Sequence, residues 1–225
     1  MNIIIFGPPG AGKGTQADKI SSYLNLHKIS TGDLLRNEVK NNTDLGNKIK
    51  PIIENGKLVS NEIINNLITK ILSKKAFYNR LIFDGYPRNL NQAKDLDFLI
   101  QKHEQKISHV LSLNVDKDTV VKRVLGRQVC TNCGKIFNEY FSPPNSNEHN
   151  CESKFLEKRS DDSEKIIVNR YETYEKETLP ILNFYKKQNL LHEFNGNSEI
   201  NLIYKEIMTV LGILETWLYK LSLYK

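Results

Sequence analysis

Hydrophobic and polar positions follow two alternating patterns along the chain. Short apolar runs predict β-strands at 2–6, 27–30, 80–83, 110–114 and 190–194. Longer segments with apolar residues at helical spacing predict helices at 13–24, 62–74, 89–102, 116–126, 164–188 and 198–211. Because strands alternate with helices and look apolar throughout, we expect an α/β fold of three layers. In it, a five-stranded parallel sheet is buried between helices on both faces.

Two segments interrupt this alternation. Residues 31–60 are helical and polar, whereas 127–162 contain all three cysteines and lack a long helical period. We therefore predict two insertions on one core domain, which consists of 1–30, 61–126 and 163–211. Residues 212–225 again place apolar side chains, including the single Trp, at helical spacing. This C-terminal helical extension is expected either to pack on the core or to contact a membrane surface or partner.

Composition narrows the class of protein. A chain of 225 residues with 39% hydrophobic and 26% charged residues is typical of a globular protein, and no apolar run is long enough for a membrane span. No signal or transit peptide is visible, so we expect a cytoplasmic protein, with a mitochondrial location left open. We also expect a monomer, since nothing except the C-terminal extension suggests an exposed interface. The net charge of +6 favours nucleic acid, membrane surfaces or phosphorylated small molecules as partners.

The clearest chemical motif is GPPGAGKGT at 7–15, between the first predicted strand and helix. This context is typical of a phosphate-binding loop, in which backbone N–H groups surround the phosphates and Lys13 reaches the β- and γ-phosphates. Gly14 stands where such loops usually have Ser or Thr, so an ordinary glycine-rich turn is the alternative. Asp84 ends a later strand, where a phosphate-loop enzyme places its Mg²⁺-organising carboxylate. A simple strand-end Asp in a turn is the alternative there.

Together these motifs resemble the adenylate kinase family of nucleoside monophosphate kinases, in which Gly follows the lysine of the loop. The resemblance spans residues 1–211 in order, through STGDLLR at 30–36, GKLV at 56–59, DGYPR at 84–88 with Gln92, GR at 126–127, RSDD at 159–162 and Arg170. It implies an Mg²⁺-dependent enzyme that transfers the γ-phosphate of a nucleoside triphosphate to AMP, giving two nucleoside diphosphates. It also implies that 31–60 form an NMP-binding subdomain and 127–162 a lid.

The resemblance assigns a role to each matching residue. The donor phosphates would be held by Gly10, Ala11, Gly12, Lys13, Gly14 and Thr15, and the lid residues Arg127, Ile136 and Phe137 would meet the donor nucleotide. The AMP site would consist of Thr31, Arg36, Lys57, Leu58, Val59, Gly85, Tyr86, Arg88, Gln92, Arg159 and Arg170. The catalytic charges would be Lys13, Asp84, Arg88, Arg123, Arg127, Arg159 and Arg170.

The arginine census supports this assignment on chemical grounds. The chain contains 25 Lys but only 7 Arg, and six of the seven fall on these positions, leaving only Arg80. Phosphoryl transfer depends on positioning and on neutralising negative charge, and the planar guanidinium binds phosphate oxygens in a bidentate manner. We expect both insertions to close over the substrates, since water would otherwise compete as acceptor.

The cysteines suggest a metal site within the lid. Cys130 and Cys133 have the C-x-x-C spacing of a zinc knuckle, and Cys151 follows. Some members of the family bind a structural zinc with a fourth ligand three residues later, but Lys154 occupies that position here. His149 or Glu152 remains as fourth ligand, with His149 preferred on chemical grounds. Free thiols of a lost site, or a redox C-x-x-C pair, are the alternatives.

Several functional alternatives stay open at this point. The donor is ATP or GTP, since segments 113–115 and 191–196 look somewhat like the GTP-using branch of the family. A UMP or CMP kinase is disfavoured by Gln92, whose carboxamide suits an adenine edge. A nucleic-acid-binding zinc-ribbon protein would fit the charge and the cysteines, but it leaves the glycine loop unexplained. A scaffold that has lost catalysis would not need the full set of arginines.

Overall fold

A computed structural model describes residues 1–145 and 149–213. Its central sheet is formed by β1 (Asn2–Phe6), β2 (His27–Ser30), β3 (Leu81–Asp84), β4 (Ile107–Asn114) and β8 (Leu191–Asn195). The strand order is β2-β3-β1-β4-β8, and every neighbouring pair is parallel. The predicted five-stranded parallel sheet is therefore confirmed. Because all its strands point the same way, the loops that follow β1 and β3 emerge at one edge of the sheet.

Helices cover both faces of this sheet. They are α1 (Lys13–Leu24), α4 (Asn61–Leu72), α5 (Leu90–Lys102), α6 (Lys117–Leu125), α7 (Glu164–Thr173), α8 (Ile181–Lys186) and α9 (Ile200–Val210). Successive side chains of β1 enter opposite cores, as the pleat of a strand requires. Ile4 packs in the core that includes Tyr185, whereas Ile5 packs in the core that includes Ile207. The three-layer architecture follows from this division.

The outer strands differ from the inner ones. β1 is buried along its whole length, as predicted for a strand covered on both faces. In contrast, β2 exposes His27 and β8 exposes Glu193. The expectation that all strands are apolar throughout is therefore wrong for the two edges, where a strand has only one neighbour and part of it meets water.

The prediction of a single helix over 164–188 is also wrong. The chain instead forms α7, a π-helical turn at Tyr174–Thr178, and then α8. Pro180, the N-cap of α8, explains the break because proline has no N–H to donate and its ring clashes with the preceding turn. The turn brings the Thr178 hydroxyl to the backbone carbonyl of Arg88, to which it donates a hydrogen bond of 2.8 Å.

The two predicted insertions have their own structures. Residues 31–60 contain α2 (Thr31–Lys40) and α3 (Asp44–Glu54), whose N-caps Ser30 and Thr43 accept hydrogen bonds from backbone N–H groups. Residues 127–162 contain an antiparallel sheet, ordered β6-β5-β7, of β5 (Arg127–Cys130), β6 (Ile136–Asn138) and β7 (Leu156–Glu157). Both segments are thus structurally distinct from the parallel sheet.

The C-terminal extension predicted over 212–225 lies outside the described residues from position 214 onward. Before it, α9 ends at Val210, and Gly212 adopts a left-handed conformation with φ of 70°. Within the described ranges, no helix combines the length and apolar character needed to cross a bilayer.

Candidate active site

The glycine loop joins β1 to α1 in a shape that only glycine allows. Gly10 and Gly12 have φ angles of 76° and 92°, in the left-handed region. A Cβ at Gly10 would lie 2.7 Å from the Cγ2 atom of Val124, so a side chain is excluded there. Gly12 is the N-cap of α1 and bears no capping side chain. The loop therefore ends at an open helix N-terminus, a favourable place for an anion.

Lys13 is folded back over this loop. Its Nζ atom donates hydrogen bonds of 2.7 Å to the carbonyl of Gly7 and 2.8 Å to that of Pro8. Burial lowers the pKa of Lys13 to about 7, Asp84 opposes this change, and nearby arginines reinforce it. The lysine is thus poised to gain a full charge when phosphates replace its carbonyl partners.

Asp84 ends β3 beside the loop. Burial raises the pKa of its carboxyl, and the positive charge of Lys13 opposes the increase. A Cβ at Gly14 would lie 3.5 Å from Oδ2 of Asp84. The residue after the lysine therefore lies directly against the carboxylate of Asp84.

A cavity open to solvent lies between α2, α3 and the carboxyl edge of the sheet. Ten of the eleven residues predicted for the AMP site line it, namely Thr31, Arg36, Lys57, Leu58, Val59, Gly85, Tyr86, Arg88, Gln92 and Arg170. The eleventh, Arg159, lies in the lid segment. Asp161 also lines the cavity and was not predicted to do so.

A second cavity, also open to solvent, continues from the first toward the glycine loop. Lys13, Arg88 and Arg170 line it, and the last two are shared with the first cavity. Tyr174 and Thr178 of the π-helical turn complete its wall. Sequence reasoning missed these two residues because it predicted an uninterrupted helix there. The two cavities together connect the phosphate loop to Gln92.

Two carboxylates, Asp161 and Asp162, hold arginines in place. Arg127 binds Asp162 through two hydrogen bonds, one of them 2.7 Å from Nε to Oδ2. Arg170 lies 2.6 Å from Asp161, whose other oxygen is buried without a hydrogen-bond partner among the described residues. Asp161 and Asp162 were not among the predicted site residues. Their position directly after the RS pair at 159–160 was the available signal, because clustered guanidinium groups require counter-charges.

The electrostatics of the site favour an anion. Burial lowers the pKa of Arg88 to about 10, and the neighbouring charge of Arg170 contributes. Burial likewise lowers the pKa of Arg159 to about 10, with Arg127 adding to the effect. Guanidinium groups that depress one another's pKa mark a place where negative charge would be stabilised.

Arg123 lies apart from the other five arginines of the predicted site. Its Nη1 atom donates a hydrogen bond of 2.8 Å to the carbonyl of Gly196, in the loop between β8 and α9. Its guanidinium carbon is 5.3 Å from the centre of the Phe141 ring, and it lines neither cavity. Arg80, the arginine left unassigned by the sequence, binds the carbonyl of Asn25 at the end of α1 and has a structural role.

The lid cysteines converge with His149. The ligand atoms of Cys130, Cys133, His149 and Cys151 all lie within 4.8 Å of one another. Nε2 of His149 is buried and finds no hydrogen-bond partner in the described parts of the chain. Glu152 instead lies 2.9 Å from Lys154, and both side chains are more than half exposed. The geometry thus favours His149 as the fourth member of the group.

The two lid residues predicted for the donor have different environments. Ile136 is 36% exposed, whereas Phe137 is 6% exposed and packs its ring edge-on against His149, with 4.7 Å between ring centres. The side chain of Phe137 therefore supports the cysteine–histidine group. Any contact of Phe137 with a donor nucleotide must come from its backbone.

The chain combines a parallel sheet that bears a phosphate loop with its lysine, two insertions near the carboxyl edge of that sheet and a group of half-buried arginines. These features define a nucleoside monophosphate kinase. The model of the adenylate kinase family matches residues 5–190. A relative named adenylate kinase in Pelagibacter ubique is 46% identical over 213 residues, which cover 95% of this chain and 100% of that relative. Adenylate kinases of Fusobacterium nucleatum and Thermosipho africanus are 40% and 37% identical, each over 94% of this chain and 99% of the relative.

The chain belongs to the adenylate kinase family. It is an enzyme that transfers phosphoryl groups to nucleoside monophosphates. The resemblance noted in the sequence is thereby confirmed, and the alternative of a nucleic-acid-binding zinc-ribbon protein is not favoured.

Proposed function

We propose that this chain transfers the γ-phosphoryl group of a nucleoside triphosphate to AMP in the two adjoining cavities. The observation that carries the proposal is that Arg88 and Arg170 line both of them. One end of the combined cavity is formed by Lys13 and the other by Gln92. Arg88 and Arg170 thus lie between the phosphate loop and the amide of Gln92. Their guanidinium groups are well suited to stabilise a transferring phosphoryl group.

The residues have distinct parts in this reaction. The backbone N–H groups of the loop and Lys13 bind the donor phosphates, while Arg36 and Arg88 bind the phosphate of AMP. Mg²⁺ bound with the nucleotide would neutralise charge on the β- and γ-phosphates, and Asp84 is placed to hold its water ligands. No hydroxyl at Gly14 competes for that role. The arginines then stabilise the charge that spreads over the transferring group.

Exclusion of water completes the mechanism. We propose that 31–60 act as the NMP-binding subdomain and 127–162 as the lid, which deliver Arg36, Arg127 and Arg159 to the transferring group on closure. Support comes from an ion pair between the two segments. Arg36 of the first segment lies 3.8 Å from Asp161 of the second, which follows Arg159 by two residues. Because the lid carries charges that the reaction needs, the site becomes complete only when the lid closes and excludes water.

The cysteine–histidine group is proposed to hold a structural Zn²⁺. Three thiolates and one imidazole form a common tetrahedral donor set. Two features of a zinc knuckle support the assignment: the N–H of Cys133 points to Sγ of Cys130 at 3.5 Å, and Gly134 makes the tight turn with φ of 75°. The metal would stabilise the lid and would take no part in the transfer.

Acceptor and donor are tested together in a coupled assay of purified protein with ATP or GTP against AMP, UMP and CMP. We expect turnover with AMP and little with either pyrimidine nucleotide. The comparison of ATP with GTP assigns the donor, for which both remain candidates. A protein that turned over UMP or CMP as well as AMP would contradict the proposal.

For its setting we propose a cytoplasmic monomer. Support comes from the composition, which is typical of a globular protein. Cell fractionation and size-exclusion chromatography test these two statements.

A further inference from the structure

Three side-chain amides form a continuous chain behind the AMP cavity. Gln92 is 2% exposed, and its Nε2 atom donates to Oδ1 of Asn61 at 2.9 Å. The same Oδ1 accepts a second hydrogen bond of 3.0 Å from Nδ2 of Asn89. Asn61 begins α4, and Asn89 caps the N-terminus of α5. Each amide therefore constrains which way its neighbour faces, because a carboxamide has a donor end and an acceptor end.

Backbone N–H groups fix both ends of this chain. Oδ1 of Asn89 accepts from the backbone N–H of Gln92 at 2.9 Å, and Oε1 of Gln92 accepts from the backbone N–H of Arg88 at 2.8 Å. A backbone N–H can only donate, so neither terminal amide can rotate by 180° without setting a donor against a donor. The orientation of Asn61 follows, since its oxygen must accept from both neighbours. Reversing any one amide would set like groups against each other at part-buried positions, which costs free energy.

This arrangement matters because an amide that could rotate would not distinguish purines. Adenine presents a donor at its 6-amino group and an acceptor at N1, whereas a 6-oxo purine presents an acceptor at O6 and a donor at N1. A freely rotating glutamine matches either pattern equally well. A fixed glutamine matches only one, because the wrong base leaves both partners unpaired.

We propose that Asn61 and Asn89 are positioning residues that set the purine specificity of the acceptor site by fixing the amide of Gln92. The proposal rests on the proposed function, in which Gln92 meets the base of the nucleoside monophosphate. With both outer hydrogen bonds made, Gln92 keeps one lone pair on Oε1 for the 6-amino group and one N–H on Nε2 for N1. Because this orientation is set before any base binds, the site accepts adenine and rejects hypoxanthine or guanine.

Two isosteric variants with the same change of charge give opposite expectations. In Asn61→Asp the new carboxylate still accepts from both neighbours, so Gln92 keeps its orientation. In Asn89→Asp the helix cap is kept, since Asp is a good N-cap, but an acceptor now faces Oδ1 of Asn61. Asn61 must rotate to donate to that carboxylate, which sets its Nδ2 atom against Nε2 of Gln92. Either orientation of Gln92 then leaves one donor facing another, because the backbone N–H of Arg88 still donates to its other end, and the preference for adenine weakens.

The measurement is the ratio of kcat/KM for AMP to that for IMP, with thermal melting to confirm folding and calorimetry to compare binding of the two nucleotides. We expect the ratio in Asn61→Asp to stay within about threefold of the unsubstituted protein, and that in Asn89→Asp to fall about tenfold or more. If Asn89→Asp does not fold, Asn89→Ser keeps a cap without the amide donor and should lower the ratio by a smaller factor, because Asn61 then loses only one of the two hydrogen bonds that orient it.

Each remaining outcome would refute either this inference or the proposed function. An unchanged ratio in a folded Asn89 variant, or an equal fall in both Asp variants, would overturn the inference, because orientation would then not control the choice. Equal use of AMP and IMP by the unsubstituted protein would also overturn it. Absence of any turnover with AMP would instead refute the proposed function.

Discussion

The guanidinium of Arg159 lies 3.6 Å from the carboxylate of Asp33, and this contact links the two insertions directly across the active-site cleft. Asp33 also pairs with Arg36 within its own helix. Its side chain remains 44% exposed, so each of these pairs contributes on the order of 0–1 kcal/mol. The contact is therefore suited to favour a closed arrangement without holding it permanently.

Asp33→Asn should weaken closure while leaving the fold intact. We expect the KM values for both nucleotides to rise about two- to fivefold at low ionic strength, with a smaller difference at high salt, because exposed ion pairs are screened. Steady-state kinetics at two salt concentrations measure this. Asp18→Asn, which removes a surface pair with Lys28, is the matched control and should change neither KM. A salt-independent effect of Asp33→Asn would argue against an ionic contribution to closure.

Lys13→Met should separate catalysis from stability. Loss of the only lysine of the phosphate loop should lower kcat by about 10²–10³-fold or more, because its charge acts where negative charge develops. The fold should persist, since methionine fills a similar volume without a buried charge. A coupled assay and thermal melting measure the two effects. Lys28→Met, on the adjoining surface, should retain activity; if Lys13→Met did so too, the loop would not be a phosphate cradle.

Triphosphate binding should be accompanied by proton uptake at alkaline pH. The pKa of Lys13 is lowered to about 7 without nucleotide, so at pH 8 most of the lysine is neutral. Bound phosphates favour the charged form and raise this pKa, so a proton is taken up. Calorimetry at pH 8 in buffers of different ionisation enthalpy detects it as a buffer-dependent binding enthalpy. The dependence should weaken at pH 6 and disappear in Lys13→Met; a buffer-independent enthalpy at pH 8 would contradict the prediction.

The proposed zinc site makes its own prediction. Protein purified without added metal should contain one Zn²⁺ per chain, and His149→Ala should lower that content and the melting temperature of the lid. Glu152→Ala should change neither, because this carboxylate pairs with Lys154 outside the group. Elemental analysis and calorimetric melting measure both quantities. An unsubstituted protein without bound zinc, or equal losses in both variants, would rule out the proposed ligand set.

Acid should destabilise the protein through a histidine pair on the sheet. Nδ1 of His109 and Nε2 of His192 lie 3.5 Å apart on the adjacent strands β4 and β8. Burial lowers the pKa of both, and His109 is further affected by His192. Because the folded pKa values lie below those of the unfolded chain, the unfolded state binds more protons as the pH falls below about 6.5.

The stability contributed by this pair should thus be complete above that pH and decline below it. Urea unfolding at pH 7.5 and pH 5 measures the decline, which should be smaller in His192→Gln than in the unsubstituted protein. His103→Gln, outside the pair, serves as the control. An undiminished decline in His192→Gln would place the acid sensitivity elsewhere.

Elements with clear end signals were predictable from the sequence. Strand β1 and helix α1 begin and end where the patterns of apolar residues and glycines placed them. The helix over 164–188 was not predicted correctly, because its apolar spacing continues through Pro180 although a proline inside a helical pattern is itself a signal for a break. The hydrogen bond that the turn makes from Thr178 to the carbonyl of Arg88 joins residues 90 positions apart and could not be predicted from a local pattern.

The residues of the candidate site also differ in whether the sequence could predict them. The arginines could be predicted because they are scarce in this chain and therefore informative where they occur. Asn61 and Asn89 could not, since asparagine is abundant here and most occurrences are on the surface. Their importance depends on hydrogen bonds that join residues 28 and 31 positions apart, which no local pattern records.

The polar edges of the central sheet have a consequence beyond the active site. An exposed edge strand offers unpaired N–H and C=O groups to any other extended chain, and self-association through such edges is a common route to aggregation. Lys28 on β2 and Glu193 on β8 place a charge on each outer strand of this sheet. A second molecule adding its strand there would have to desolvate that charge. Pairing at either edge is therefore opposed, while the inner strands stay as apolar as the fold demands.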